Sequence, residues 1–186
     1  MTTVDLDPRV ERSRKVICDA TLDELADVGY GAMTIESIAK RAGVGKATIY
    51  RHWNGKLDLV ESALDGLKAD MVVPAEGTAR ERITALLVWL AGYLADSRLS
   101  SCMPAMVSAA QYDDAVRAFH HRFTAERRQV MIEIVEDGIR SGEFPADWEP
   151  QLVAEALAGP LFYRRLMTPA PFPPDEVDRI VALVLD

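Results

Sequence analysis

The apolar positions of this 186-residue chain recur at helical spacing, and the pattern reads as nine helices and no strands. The first helix runs from about Pro8 to Val28 and stops at Gly29. The second and third lie inside Thr34 to Trp53. The fourth, about Lys56 to Met71, ends before Pro74, and residues 72–77 form a loop. The fifth spans about Thr78 to Asp96, opening on a capping box of Thr78 with Glu81 three residues on. The sixth lies near Leu99 to Ala110. The seventh, about Asp113 to Ser141, closes at Gly142. The eighth runs from about Glu149 to Met167. A proline-rich break over 168–174 precedes the ninth, about Pro174 to Leu185. The fold class is therefore all-α.

The segment Thr34 to Trp53, TIESIAKRAGVGKATIYRHW, joins two short helices by a tight turn. Thr34 is a strong N-cap, and Glu36 sits in the first turn, where the helix dipole favours an acid. Ile35, Ile38 and Ala39 make one apolar face. Gly43 follows Ala42 where the first helix must stop, because glycine enters the left-handed region at little cost. Val44 and Ile49 supply the inner face of the second helix, and Ala39 is small where two steeply crossing helices approach. This is the logic of a helix-turn-helix, whose second helix enters the DNA major groove. Five bases (Lys40, Arg41, Lys46, Arg51, Lys56) and one acid (Glu36) lie between Thr34 and Lys56, a surplus suited to phosphate neutralisation. The same residues would also serve as a solvated face on an ordinary helix pair. On the DNA reading, Lys46, Thr48 and the Gly45 backbone are candidates for base edges, with Ala47 offering a methyl-sized contact to thymine and Arg51 closing the recognition helix. Tyr50, His52, Lys56 and Thr34 are candidates for phosphates.

From about Arg9 to Leu64, roughly a third of its length, the chain resembles the N-terminal DNA-binding domain of the TetR family of one-component transcriptional regulators. The residues that carry the resemblance are Ile17, Ala20 and Leu25, then Gly29-Tyr30-Gly31, Thr34, Ile38-Ala39, Ala42-Gly43-Val44, Thr48-Ile49-Tyr50, His52 and Lys56-Leu57. The resemblance divides the chain into a three-helix DNA-binding domain, residues 1–55, and a helical ligand-binding and dimerisation domain, residues 56–186. It implies a homodimer on a pseudo-palindromic double-stranded operator, with two recognition helices in major grooves about 34 Å apart. It further implies a repressor released by a small-molecule effector.

The net charge of −8 argues at first against DNA, but its distribution reverses that argument. Residues 1–60 hold nine bases and nine acids, so the excess acid lies wholly in the remainder. A neutral end with a basic unit, attached to an acidic end, suits a DNA reader carrying a separate regulatory body. The uncharged runs are too short to span a bilayer and the first residues lack an apolar signal, so a cytoplasmic protein without membrane contact is expected. Two cysteines, Cys18 and Cys102, make no disulfide framework and read as small buried hydrophobes.

The fifth helix is apolar all round through ITALLVWLAGYLA, which predicts burial on every side. Trp89 and Tyr93 share a face of it, as packed core or as the wall of an effector pocket. Pro104 interrupts the sixth helix between Met103 and Met106, which suits either a movable pocket wall or a kink with adaptable packing. Phe119, Phe123 and Phe162 complete the candidate pocket. On the last two helices, Ala158, Phe162, Val177, Ile180, Val181 and Val184 are the expected dimer face, which the resemblance implies to be a four-helix bundle across a two-fold axis. No nucleophile–base pair, phosphate loop or metal cluster appears, and His120 and His121 project about 100° apart, so neither catalysis, a metal nor a cofactor is expected. The other readings are a small-molecule-binding helical protein whose helix-turn-helix serves protein contacts, and a DNA binder without ligand.

Overall fold

The computed structural model describes residues 8–66 and 74–186. Among them every regular element is helical: α1 Pro8–Ala32, α2 Ile35–Ala42, α3 Lys46–Tyr50, α4 Lys56–Asp65, α5 Ala79–Ala95, α6 Arg98–Ala109, α7 Asp114–Ser141, α8 Pro150–Met167 and α9 Val177–Leu185, the last preceded by a 3-10 turn over Pro174–Glu176. The expected extension of α4 to Met71, and the first two residues of the loop after it, lie outside the described residues. None of the described helices is long and apolar enough to cross a membrane.

Contacts gather the described residues into two compact units. One holds α1 to α4 with residues 101–119, and the other holds residues 74–100 and 120–186. In the first, α1 packs on α2 and α4, and α3 packs on α2. Its core is Ile17, Leu22, Leu25, Met33, Ile38, Ile49, Trp53, Leu59 and Leu64, all essentially without solvent contact. Each such aliphatic side chain contributes about 1.5–3 kcal/mol through removal from water. Cys102 belongs here too, buried with its thiol donating to the Leu22 carbonyl at 3.4 Å. Cys18, expected to be buried, is half-exposed. Gly29 does not end α1 outright. It takes a left-handed φ of 78°, and a last helical stretch follows to Ala32.

In the second unit α5 packs on α8 and α9, and α8 on α9. The N-terminus of α5 is closed by two carboxylates. Glu81 accepts from the Thr78 N–H at 2.8 Å, the other half of the predicted capping box, while Glu143 accepts from the N–H groups of Ala79 and Arg80 at 2.7 and 2.8 Å. Gly138, in the middle of α7, is required by close packing, since a Cβ there would stand 2.3 Å from the Phe144 ring and 2.8 Å from Ala79. The expectation that α5 is buried on every side does not hold. Ala79, Ile83, Leu86, Leu87, Ala91 and Leu94 form its buried stripe, while Val88 and Gly92 face solvent. The elements packed on α5 all meet this one stripe, and hydropathy alone does not say how many sides of a helix its partners cover.

Candidate nucleic-acid interface

The surface in question is built by α2, the turn after it, and α3. Thr34 has the extended backbone of an N-cap, and its hydroxyl accepts from the Ser37 N–H at 3.0 Å. Ser37 completes the box by accepting from the Thr34 N–H at 3.0 Å. At the far end Gly43 adopts φ 67° and donates to the Ala39 and Lys40 carbonyls, and the Val44 N–H returns to Ala39 at 3.0 Å. This left-handed corner reverses the chain in two residues, and Gly45 then starts α3 from an extended conformation. Ile49 is fully buried and anchors α3. With that face fixed, Lys46, Ala47, Tyr50 and Arg51 point to solvent, as does Gly45, and Thr48 and His52 are half-exposed. All the sequence-predicted readers except Thr34 and Lys56 therefore fall on or beside one short helix. The His52 ring meets Trp53 edge to face at 5.6 Å where α3 ends.

The local charge is more compensated than the composition suggests. Arg41 binds Glu24 at 2.8 Å and Asp27 at 2.7 Å, and Glu24 is only 7% exposed. Lys46 faces Glu36 at 3.3 Å across the α2–α3 corner. Lys56, at the first position of α4, donates to the Tyr30 carbonyl at 2.7 Å and the Met33 carbonyl at 3.3 Å. Its ammonium also sits 4.1 Å from the centre of the Tyr30 ring. Burial pulls this ammonium below its ordinary value, with Asp113 acting in the opposite sense, and burial pushes the Tyr30 phenol up. Lys56 thus closes the end of α1 onto the start of α4, its ammonium shared between these two carbonyls and the Tyr30 ring. Lys40 and Arg51 are exposed cations of this surface. Ser37, Glu24 and Asp27 were missed by sequence reasoning, as were the contact of Tyr30 with Lys56 and the pairing role of Glu36. Ser37 was legible as the third residue after the N-cap; the others act across helices and carry no local spacing signal.

The expected pocket residues divide between the two units. Trp89 and Tyr93 are brought together, their rings stacked at 4.9 Å and 16°. Phe123 lies beneath the Arg127 guanidinium, 3.4 Å from its ring centre, and Phe162 lies at the surface of α8. Met106 and Phe119 are buried in the first unit, where Met103 is half-exposed. A cleft of about 470 Å³ opens elsewhere in the second unit, between Arg82, Val130, Glu133, Ile134, Asp137 and Arg140. Asp137 bridges the two arginines at 2.9 and 2.6 Å, which holds its carboxyl below the usual carboxylate range.

The expected dimer positions also divide. Val177, Ile180 and Val181 are buried inside the protomer as the stripe that α9 turns to α5 and α8, so they are core first. Ala158 and Val184 are half-exposed and Phe162 is exposed. The apolar surface that α8 and α9 leave uncovered is Leu152, Phe162, Tyr163, Leu166, Met167 and Leu183, the last two 72% and 83% exposed. Apolar periodicity identified the buried stripe of α9; it does not reveal that the opposite face of α8 is apolar as well.

Comparison with known proteins agrees with this geometry. Residues 17–63 match the model described as bacterial regulatory proteins, tetR family, and residues 73–184 match the tetracyclin repressor-like C-terminal domain. The uncharacterized HTH-type transcriptional regulator YdeS of Bacillus subtilis is 32% identical over 163 residues, which is 87% of this chain and 82% of that protein. A putative transcriptional regulator from Pseudomonas aeruginosa PAO1 superposes with a TM-score of 0.78 at 26% identity, over 96% of this chain and 90% of its own. FadR from Bacillus subtilis, solved in complex with stearoyl-CoA, shares the fold with a TM-score of 0.76 at 20% identity, over 92% and 97%.

Proposed function

Because the chain belongs to the TetR family of bacterial regulatory proteins, a DNA-binding transcriptional regulator, we propose that it is a cytoplasmic repressor that binds a pseudo-palindromic operator as a homodimer and leaves it when a small molecule binds. In this reading residues 1–55 are the reading head, and residues 56–186 hold the effector and the partner protomer. The observation that carries it is α3: one buried isoleucine, Ile49, fixes the helix while Lys46, Ala47, Tyr50 and Arg51 stay exposed on its outer side. A helix held by one face and bare on the other is what a major groove admits. Lys46, Thr48 and Ala47 would meet base edges. Tyr50, His52 and Arg51 would meet phosphates, with Lys56 reaching one through its remaining N–H.

Support for the dimer is the uncovered face of α8 and α9. Small exposed residues, Ala156 and Gly159, precede Tyr163 and Met167 there along α8, which permits close approach of a second copy at that end. Support for an effector is the match to a family regulatory domain over residues 73–184 and the Trp89–Tyr93 stack within it. The effector displaces the protein from DNA only if it binds the wrong separation of the two heads better, by about 1–3 kcal/mol of coupling. The deciding experiment is selection of bound sequences from random duplex DNA with the full chain. Two inverted half-sites centred about 10 bp apart, or a multiple of that, are expected. Enrichment of a single half-site, or binding that ignores salt, would overturn the two-headed reading.

A further inference from the structure

Glu36 is the single acid between Thr34 and Lys56, and it stands on the surface that must approach a polyanion. Its carboxylate lies 3.3 Å from the Lys46 ammonium, with side chains 78% and 56% exposed. Stability does not account for the pair, because ion pairs this exposed contribute little. Helix capping does not account for it either. The cap of α2 is made by Thr34 and Ser37 without it, so its only service there is the weak attraction of an exposed acid to the helix dipole. Against duplex DNA the acid is a liability, since it repels phosphates and neutralises a cation that would otherwise attract them.

We propose that Glu36 is a specificity-determining residue, which with Lys46 reads one G·C pair in each half-site; this rests on the DNA-binding reading above. The major-groove edge of a G·C pair presents two acceptors, guanine N7 and O6, and then one donor, the cytosine N4 amine. An ammonium beside a carboxylate matches that order: Lys46 donates to guanine, and Glu36 accepts from cytosine. The order matters because the ammonium spans guanine N7 and O6 while the carboxylate takes the third position; held in that register over an A·T pair, which presents acceptor, donor, acceptor, the ammonium meets the adenine N6 amine and the carboxylate meets thymine O4. Lys46 alone would also settle on a phosphate. Tied to Glu36, it is released from its counter-charge most favourably where a base edge replaces both partners at once.

The test compares the full chain with Glu36→Ala. Selection from random duplex DNA is followed by salt titration on the selected duplex and on one in which the assigned G·C pair is changed to A·T. Wild type should prefer the selected duplex by about tenfold over the changed one, and Glu36→Ala should lose that preference. The variant should also bind random duplex more tightly, and its salt slope should steepen by about 0.9 per protomer as Lys46 becomes free for a phosphate. Melting at the wild-type temperature would show that the α2 cap is intact. An unchanged sequence preference overturns the proposal even if the slope steepens, because Glu36 would then act on charge alone. A wild-type chain that enriches no motif removes the DNA reading and this inference with it.

Discussion

Replacing Lys56 by methionine keeps the apolar stem and removes only the ammonium, which separates its two roles. In the folded chain that ammonium donates to the Tyr30 and Met33 carbonyls at 2.7 and 3.3 Å and rests against the Tyr30 ring. Hydrogen bonds to a charged group contribute about 1.5–3 kcal/mol, and a part-exposed cation–π contact about 0.5–1 kcal/mol. Some of this is offset, because the variant no longer desolvates a charge. A net loss of about 1–2 kcal/mol is expected, which lowers the melting temperature of a chain this size by about 3–6 °C. If the remaining N–H also meets a phosphate, the slope of log affinity against log salt should fall by about 0.9 per protomer. Thermal unfolding reads the first effect, and titration of a duplex between 50 and 200 mM salt reads the second. A lowered melting temperature with an unchanged slope would leave Lys56 a brace between α1 and α4 and nothing more. A wild-type melting temperature would refute the structural argument, because the two carbonyls would then lose their partner without cost.

Three further outcomes are expected. Gly43→Ala should cost about 1 kcal/mol from left-handed strain alone, since φ is 67° and nothing lies within 4 Å of the new Cβ; urea unfolding would show it, and DNA binding should weaken as the corner between α2 and α3 distorts. A charge at an exposed position of the α8–α9 face, Leu183→Glu with Met167→Glu, should give a folded monomer in sedimentation, whereas an intact dimer would remove this face from the interface. Burial, and then His121, hold His120 below its ordinary 6.5, so the unfolded chain binds its proton first: stability should be constant above that pH and fall as pH drops from 6.5 through the lowered value, and His120→Gln should flatten the fall in denaturant midpoint.

Among the described residues, helix count, helix order and the cap and corner of the helix-turn-helix were legible because each rests on local signals. Thr34, Gly43 and Ile49 announce their roles by their immediate neighbours, and the structure gives each the expected backbone or burial. What the sequence hid was nonlocal. Arg41 counts as a DNA-facing base until Glu24 and Asp27 close on it from α1, and Lys56 counts as exposed until Tyr30 lies beneath it. On α9, a stripe of Val177, Ile180 and Val181 is equally apolar whether it meets another protomer or its own α5 and α8, and only the packing decides. Trp89 and Tyr93 were predicted to share a face, and they do. Spacing cannot say whether a cavity lies beside them.

The buried stripe of α9 also bears on how much protein a cell needs. Val177, Ile180 and Val181 are covered within one protomer, so on the proposed dimer a single chain would complete this part of its core before it meets a partner, unlike obligate dimers that lack a folded monomer. In the proposed homodimer, pairing through the remaining α8–α9 face would then be a separate equilibrium between folded species. Below the dissociation constant of that equilibrium, the two-headed form rises with the square of chain concentration. Operator occupancy would respond to synthesis as a threshold rather than in proportion, and dilution at cell division would lift repression more steeply than it lowers the protein.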